Sequence, residues 1–299
     1  MSRRVFLALA AMGAAGCSTG GMGLPPLRLA TGLSGGPYEI LGDRFAAELR
    51  RDGFTVEVFK TAASVQNLTM LAEGRADVGF SLADSADDAV RVRHQPVAAL
   101  ARMYMNYVHL VVRTDSDISA AKHLTRRKVS IGAEGSGTAV TAVRVLDAAG
   151  VRDHVVFRLG LDASIRALDE GGIDAFFWSG GVPTPALASL SGIRVVPLEP
   201  LVPVLRRTYG PVYEHAAIPA GVYGSVRPVP TVGTPSYLVC RQALSDDVAY
   251  TVTETLFSAR DRLQAPSAPG GRLDKRYAIG TGVVPLHPGA ARYYKSVYG

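Results

Sequence analysis

The sequence is short of the residues that build covalent staples and metal centres. Its 299 residues include only two cysteines, Cys17 and Cys240, so no framework of disulfides is possible. The six histidines, His94, His109, His123, His154, His215 and His287, are scattered, with no His-x3-His or Cys-x2-Cys spacing, and a metal site finds no support. No glycine loop continues into Gly-Lys-Ser/Thr, which excludes a Walker-type phosphate loop. Charge is sparse at 19% and carries little bias: the formal +6 falls to +4 once Arg3 and Arg4 are set aside. The remaining basic pairs, Arg126-Arg127 and Arg206-Arg207, read as solvated loops, so nucleic acid is not an expected partner and no cofactor is implied. No apolar run approaches the roughly 20 residues that a membrane-spanning helix needs.

Apolar residues make up 47% of the chain, enough for the core of two medium lobes or one large domain. Residues 1–16 read as an export signal: Arg3 and Arg4, a short apolar run from Val5 to Ala15, then Ala14-Ala15-Gly16-Cys17. That ending resembles a lipobox, in which the cysteine is acylated and becomes the mature N-terminus, although Ala14 stands where leucine is usual. Ser2-Arg3-Arg4-Val5-Phe6-Leu7 resembles a twin-arginine export motif, with Sec export as the alternative. Residues 17–26, rich in glycine and ending on two prolines, read as the tether of an anchored protein. With Cys17 lipidated, only Cys240 is left, and its setting in Ser-Tyr-Leu-Val-Cys reads as a buried strand.

The chain is organised around Lys128–Gly150, a strand, a glycine-serine loop and an amphipathic helix in succession. Gly135 and Gly137 break the strand and let the backbone approach a neighbour closely; Ser136 or Thr138 can cap the helix, whose apolar face is Ala139, Ala142, Val143, Leu146 and Ala149. Such a junction leaves backbone N–H groups and a partial positive charge at the mouth of the loop, beside two hydroxyls, and favours an oxyanion. The same unit occurs earlier, over residues 28–52, with Gly32, Ser34, Gly35 and Gly36 in the loop; Gly32 and Gly132 lie 100 residues apart. After each unit come a strand, a serine-started helix ending in glycine (Ser64 to Gly74, Ser164 to Gly171), and an aspartate, Asp77 or Asp174, opening an apolar strand. The duplication predicts an α/β protein of two lobes with helix N-termini at the facing strand ends and a cleft between them.

Strands at 107–113 and 234–240 read as the two crossings of a hinge, giving lobe 1 as 27–112 with 234–299 and lobe 2 as 113–233. Between them, Val202–Val212 reads as a short helix broken by Gly210-Pro211, and Ile218–Val232, with three prolines, as a loop. Asp246–Gln264 carries a helical pattern, Ala265–Gly271 breaks it, and the tail Leu286–Gly299 reads as a final helix.

One alternative is catalytic. Gly32-Leu33-Ser34-Gly35-Gly36 matches the Gly-x-Ser-x-Gly elbow of secreted serine hydrolases, and Asp261 or Asp274 with His287 could supply a triad. Against it, the elbow follows the first strand of the mature chain instead of several.

Six stretches in order, TGLSGGPYEILG, TAASVQNLTMLAEGRADVGF, IGAEGSGTAVTA, DAFFWSGGVPTPAL, IPAGVYGS and PLHPGAARYY, resemble the TAXI-type solute-binding proteins of tripartite ATP-independent periplasmic (TRAP) transporters. The resemblance covers Leu27 to Tyr294. It implies no enzyme but a periplasmic-binding-protein fold (type II-like) of two α/β lobes, a small anionic solute such as an amino acid or dicarboxylate, and a TRAP membrane permease as partner of a lipid-anchored extracytoplasmic protein. It implies a cleft lined by Ser34, Gly35 and Tyr38, by Ser64 and Asn67, by Ser136, Gly137 and Thr138, and by Trp178 with Pro183. Two positions depart from the family: Leu82 and Ala83 stand where a Gln-Ser pair is common, and Asn106 replaces a frequent acid. Both departures imply a solute less polar or differently charged than the usual one.

Overall fold

The computed structural model describes residues 24, 26–263 and 273–299. The expected export signal, Cys17, nearly all of the tether, and the break at 265–271 lie outside the described residues.

The chain builds one mixed sheet flanked by helices. In order, β1 (Leu27–Ala30), α1 (Pro37–Arg51), β2 (Val56–Phe59), α2 (Ser64–Ala72), β3 (Val78–Leu82) and α3 (Ala83–Arg91) lead into the long β4 (Val97–Arg113). The second copy follows as β5 (Lys128–Ser130), α4 (Gly137–Ala148), β6 (Val155–Phe157), α5 (Leu161–Asp169) and β7 (Ala175–Gly180). Then come α6 (Pro185–Ala188), β8 (Ile193–Val195), α7 (Val202–Tyr209), β9 (Glu214–Ile218) and β10 (Val229–Arg241). The chain closes with α8 (Asp246–Ser258), α9 (Lys275–Ala278) and α10 (Pro288–Tyr298).

The sheet order is β2-β1-β3-β10-β4-β7-β5-β6, with β8 beside β4 and β9 beside β10. The two copies are the same object. In each, the first strand lies between the second and third in parallel pairing, β2-β1-β3 and β6-β5-β7. The repeated aspartates have one physical job: Asp77 accepts the N–H of Arg28 at 2.9 Å, and Asp174 accepts that of Lys128 at 2.7 Å, each pinning the start of a central strand. Within each copy the parallel strands end together, and the two copies run antiparallel to each other through β10 and β4, so their carboxyl ends, at Leu82 and Gly180, face each other across the middle of β4.

β4 and β10 run antiparallel to each other through the middle and join the two halves. Both are longer than the pattern predicts. The strand expected over 107–113 begins at Val97, and the presumed loop 218–232 ends in four residues of β10 paired with β9, from Val229↔Ile218 to Val232↔His215. Pro230 made the first part of β10 resemble loop. Pro230 and Pro235 stand inside a strand, the second at a register shift where the ladder needs no N–H from it. Cys240 is fully buried on this strand, and burial pushes its thiol well up. α5 begins at Leu161, with Gly160 as its cap, and not at Ser164; the Ser164 N–H already donates to the Gly160 carbonyl, so that serine sits one turn inside.

Asp77 also accepts from the guanidinium of Arg28 at 2.9 Å and from that of Arg241 at 2.8 Å, tying β1, β3 and the end of β10. Burial raises this carboxyl, but the two guanidiniums and the Arg28 N–H outweigh it and hold it below its ordinary value of 3.8. A carboxyl depressed on folding stabilises the fold above its unfolded value, and that contribution is lost as pH falls through the folded value. Asp77→Ala is expected to cost on the order of 2 kcal/mol near neutral pH in urea unfolding, with the difference from wild type shrinking as pH drops below 3.8. A pH-independent difference would assign the loss to packing instead of charge.

Candidate functional site: a cleft between two glycine loops

Where these carboxyl ends meet, the two loops face each other. Each opens on a glycine because the helix start returns against it. A Cβ on Gly32 would lie 2.9 Å from the Tyr38 Cβ, and one on Gly132 would lie 2.8 Å from the Thr138 Cβ. Gly35 and Gly135 both hold left-handed backbone, with φ of 74° and 75°. The second loop then docks on the first half: the Gly135 carbonyl accepts the N–H groups of Val65 and Gln66, each at 3.1 Å, at the start of α2. Beside this contact, Gly137 passes so close to Ser64 that a Cβ there would sit 2.4 Å from the Ser64 Oγ.

The cavity between the two loops, open on one side, has about 40 Å³ accessible to the centre of a water molecule. That exceeds what a single water needs and suits a small solute. Of the expected residues, Tyr38, Ser64, Ser136, Gly137, Thr138 and Trp178 line it together. Ser64 accepts the Leu82 N–H at 2.9 Å, and Ser136 caps α4 by accepting from the Ala139 N–H at 3.1 Å. Trp178 is 7% exposed, its ring N–H donating to the Thr184 hydroxyl at 3.0 Å. Tyr38 stacks on Phe80, and its hydroxyl pairs with Ser236 at 2.7 Å, which also receives the Asn106 amide at 2.5 Å. Burial pushes the Tyr38 phenol well up, so it stays neutral.

Four expected residues stand apart from the lining. Asn67 is fully buried and its amide nitrogen is spent on the carbonyls of Thr31 (2.7 Å) and Phe80 (2.8 Å), with Thr61 donating to its oxygen; it welds α2 to β1 and β3. Ser34 and Gly35 turn to Glu39, through the Ser34 hydroxyl at 3.4 Å and the Gly35 N–H at 2.6 Å. Burial raises the Glu39 carboxyl, but Lys60 at 2.5 Å and those two donors bring it below its ordinary value. Pro183 lies beyond the end of β7, next to the threonine that holds Trp178.

Sequence reasoning passed over the other wall, Leu159, Gly160, Leu161, Phe177 and Ser179. Its one available signal was Gly160 opening a fourth helix at the cleft. Leu82 and Asn106, the two departures noted above, do face the cavity.

A buried polar network closes the cleft from behind. Asp84, at the start of α3, accepts from the hydroxyls of Thr141 on α4 (2.6 Å) and Tyr213 (3.0 Å); Arg144 on α4 donates to the Tyr213 hydroxyl at 3.0 Å and to Asp88 at 2.6 Å. Burial pushes the Asp84 carboxyl up, opposed by Arg144 and these donors.

The hydrolase triad is not assembled. Ser34 faces Glu39, both ring nitrogens of His287 engage backbone at Leu244 and Gly289, and Asp274 pairs with Arg276. Among the described residues no group of three or more His, Cys, Asp or Glu is placed to hold a metal ion.

A model of the NMT1-like family matches residues 29–297. Solved structures share the fold at low identity. An ancestral arginine-binding protein bound to arginine is 16% identical with a TM-score of 0.54, covering 80% of this chain and 96% of that one. A putative L-cystine ABC transporter from Listeria monocytogenes is 14% identical at 0.52, covering 85% and 96%. XAC2383 from Xanthomonas citri, bound to ATP, is 17% identical at 0.51, covering 91% and 95%. At such identities the likeness establishes the fold, α/β and two-lobed, and nothing finer.

Gly137→Ala tests the close approach. Its Cβ should push the α4 start off Ser64 and Leu82, leaving helix content unchanged while the radius of gyration in solution scattering rises. An unchanged radius would mean that the loops do not set the spacing of the two halves.

Proposed function

The chain belongs to the NMT1-like family, and on that premise we propose that it is an extracytoplasmic solute-binding protein that captures a small anionic organic solute between two lobes and catalyses no reaction. The observation that carries this reading is the cavity between the two glycine loops, where the starts of α1, α2, α4 and α5 converge and no nucleophile meets a base. Helix starts bind anions through N–H groups and dipole without supplying chemistry. The arginine-binding and cystine-transport descriptions of its structural neighbours agree in kind.

The finer assignments rest on sequence. The six motif stretches support the TAXI type and delivery to a TRAP permease, and the Cys17 lipobox supports a lipid anchor outside the cytoplasm. The lobes are 27–112 with 234–299, and 113–233, meeting at β4 and β10, whose antiparallel pairing lets both halves tilt about two strands.

Closure must expel water from Trp178, the only tryptophan. Solute added to protein freed of carried-over ligand by unfolding and refolding should shift its emission to shorter wavelength, saturating with the Kd from calorimetry. Calorimetric binding with constant emission and no compaction would defeat the cleft mechanism. Hydrolysis of an ester by wild type and not by Ser34→Ala would defeat the binding reading itself. Labelled palmitate should enter wild type and not Cys17→Ser; equal labelling would remove the anchor alone.

A further inference from the structure

The cavity walls carry no Asp, Glu, Lys, Arg or His. A buried ammonium needs a carboxylate or a ring of acceptors, and a second buried carboxylate needs a second donor cluster; a charge enclosed without either is strongly unfavourable. The walls therefore decide how many charges a solute can bring.

They provide for one. The start of α1 has Pro37, which lacks an N–H, and Glu39 in its own first turn over the Gly35 N–H. The start of α2 is occupied by the Gly135 carbonyl, which takes the N–H groups of Val65 and Gln66. The first turn of α5 carries its own carboxylate, Asp162. The twelve-residue α4 is different: it has no acidic residue in its first turn, and its opening residues Gly137 and Thr138 line the cavity.

An independent observation marks the same spot. Ser179, 9% exposed, lines the cavity, and its buried hydroxyl has no hydrogen-bond partner. Its own N–H donates to the Thr138 hydroxyl at 3.2 Å, so this unpaired group stands beside the α4 start. A buried hydroxyl without a partner costs free energy unless a ligand supplies one. Around it the walls are apolar, with Leu82, Leu159, Phe177 and Trp178.

We infer that the cleft is built for a short organic monoanion with an apolar body, a short-chain monocarboxylate, whose oxygens accept from the Ser179 hydroxyl and the first N–H groups of α4. Amino acids and dicarboxylates are excluded by the missing counter-charge. The inference rests on the solute-binding reading and narrows it.

The test is calorimetry on the full mature chain, unfolded and refolded to strip carried-over ligand, with propionate, pyruvate, propionamide, succinate and glutamate, alongside mass spectrometry of whatever the unfolding step releases. Propionate or pyruvate should bind one to one, with succinate and glutamate weaker by about a hundredfold or more and propionamide by about tenfold or more. Ser179→Ala should weaken the monocarboxylate by about tenfold at unchanged melting temperature. Glutamate or succinate binding as well as propionate, or a released solute carrying an ammonium or two carboxylates, overturns the inference and leaves solute binding standing. Propionamide matching propionate overturns the anionic head, and full affinity in Ser179→Ala overturns its placement. No binding of any of the five, with no solute released, overturns the inference and the solute-binding reading together.

Discussion

The arrangement depends on one backbone contact: the Gly135 carbonyl set on the N–H groups of Val65 and Gln66. It joins the two halves without a side chain, so it can form only if both loops are bare enough for backbones to meet. Gly137, with 2.4 Å between its hypothetical Cβ and Ser64 Oγ, is the residue that permits it. Once the loops meet, Asp84, Thr141, Tyr213 and Arg144 become a continuous buried network between α3 and α4. Separating the halves would wet that network. Water can satisfy Asp84 and Arg144 at little net cost, and a polar seam of this kind suits surfaces that must part and rejoin.

The duplication was legible because it is local. Gly32 and Gly132, and Asp77 and Asp174, each serve one strand-loop-helix unit, and their spacing in sequence reports their role directly. The copies also diverge where sequence gives no warning. Ser64 faces the cavity, whereas Ser164 pairs with Ser130 at 2.8 Å inside the second half. Asn67 follows Ser64 in a helix that points at the cleft, yet its amide reaches the carbonyls of two strands, a tertiary contact that no local pattern encodes. Ser179 and the Leu159–Leu161 turn reach the site only because β7 ends, and α5 begins, where α4 begins. The length of β10 was hidden by Pro230, which reads as a loop residue yet stands in the strand's pairing with β9.

The chemistry of the cleft follows from what its walls leave out. Charges cluster outside it, in the Glu39–Lys60 pair and in Arg144 with Asp88, while the lining keeps hydroxyls, amides and helix starts. Fixed dipoles of this kind cost no reorganisation when an anion arrives, and they hold it without making it react. Binding then gains affinity only through contacts that the separated halves cannot offer, which makes closure and capture one event.

The central claim is therefore that the two halves move about β4 and β10 and that solute draws them together. Spin labels at Glu73, beyond the end of α2, and at the exposed Val143 on α4 report that distance directly by pulsed dipolar spectroscopy. Refolded, solute-free protein should give a broad distribution extending to long distances, collapsing to one short, narrow peak with the solute that saturates the protein in calorimetry. The same distribution with and without that solute would contradict the account.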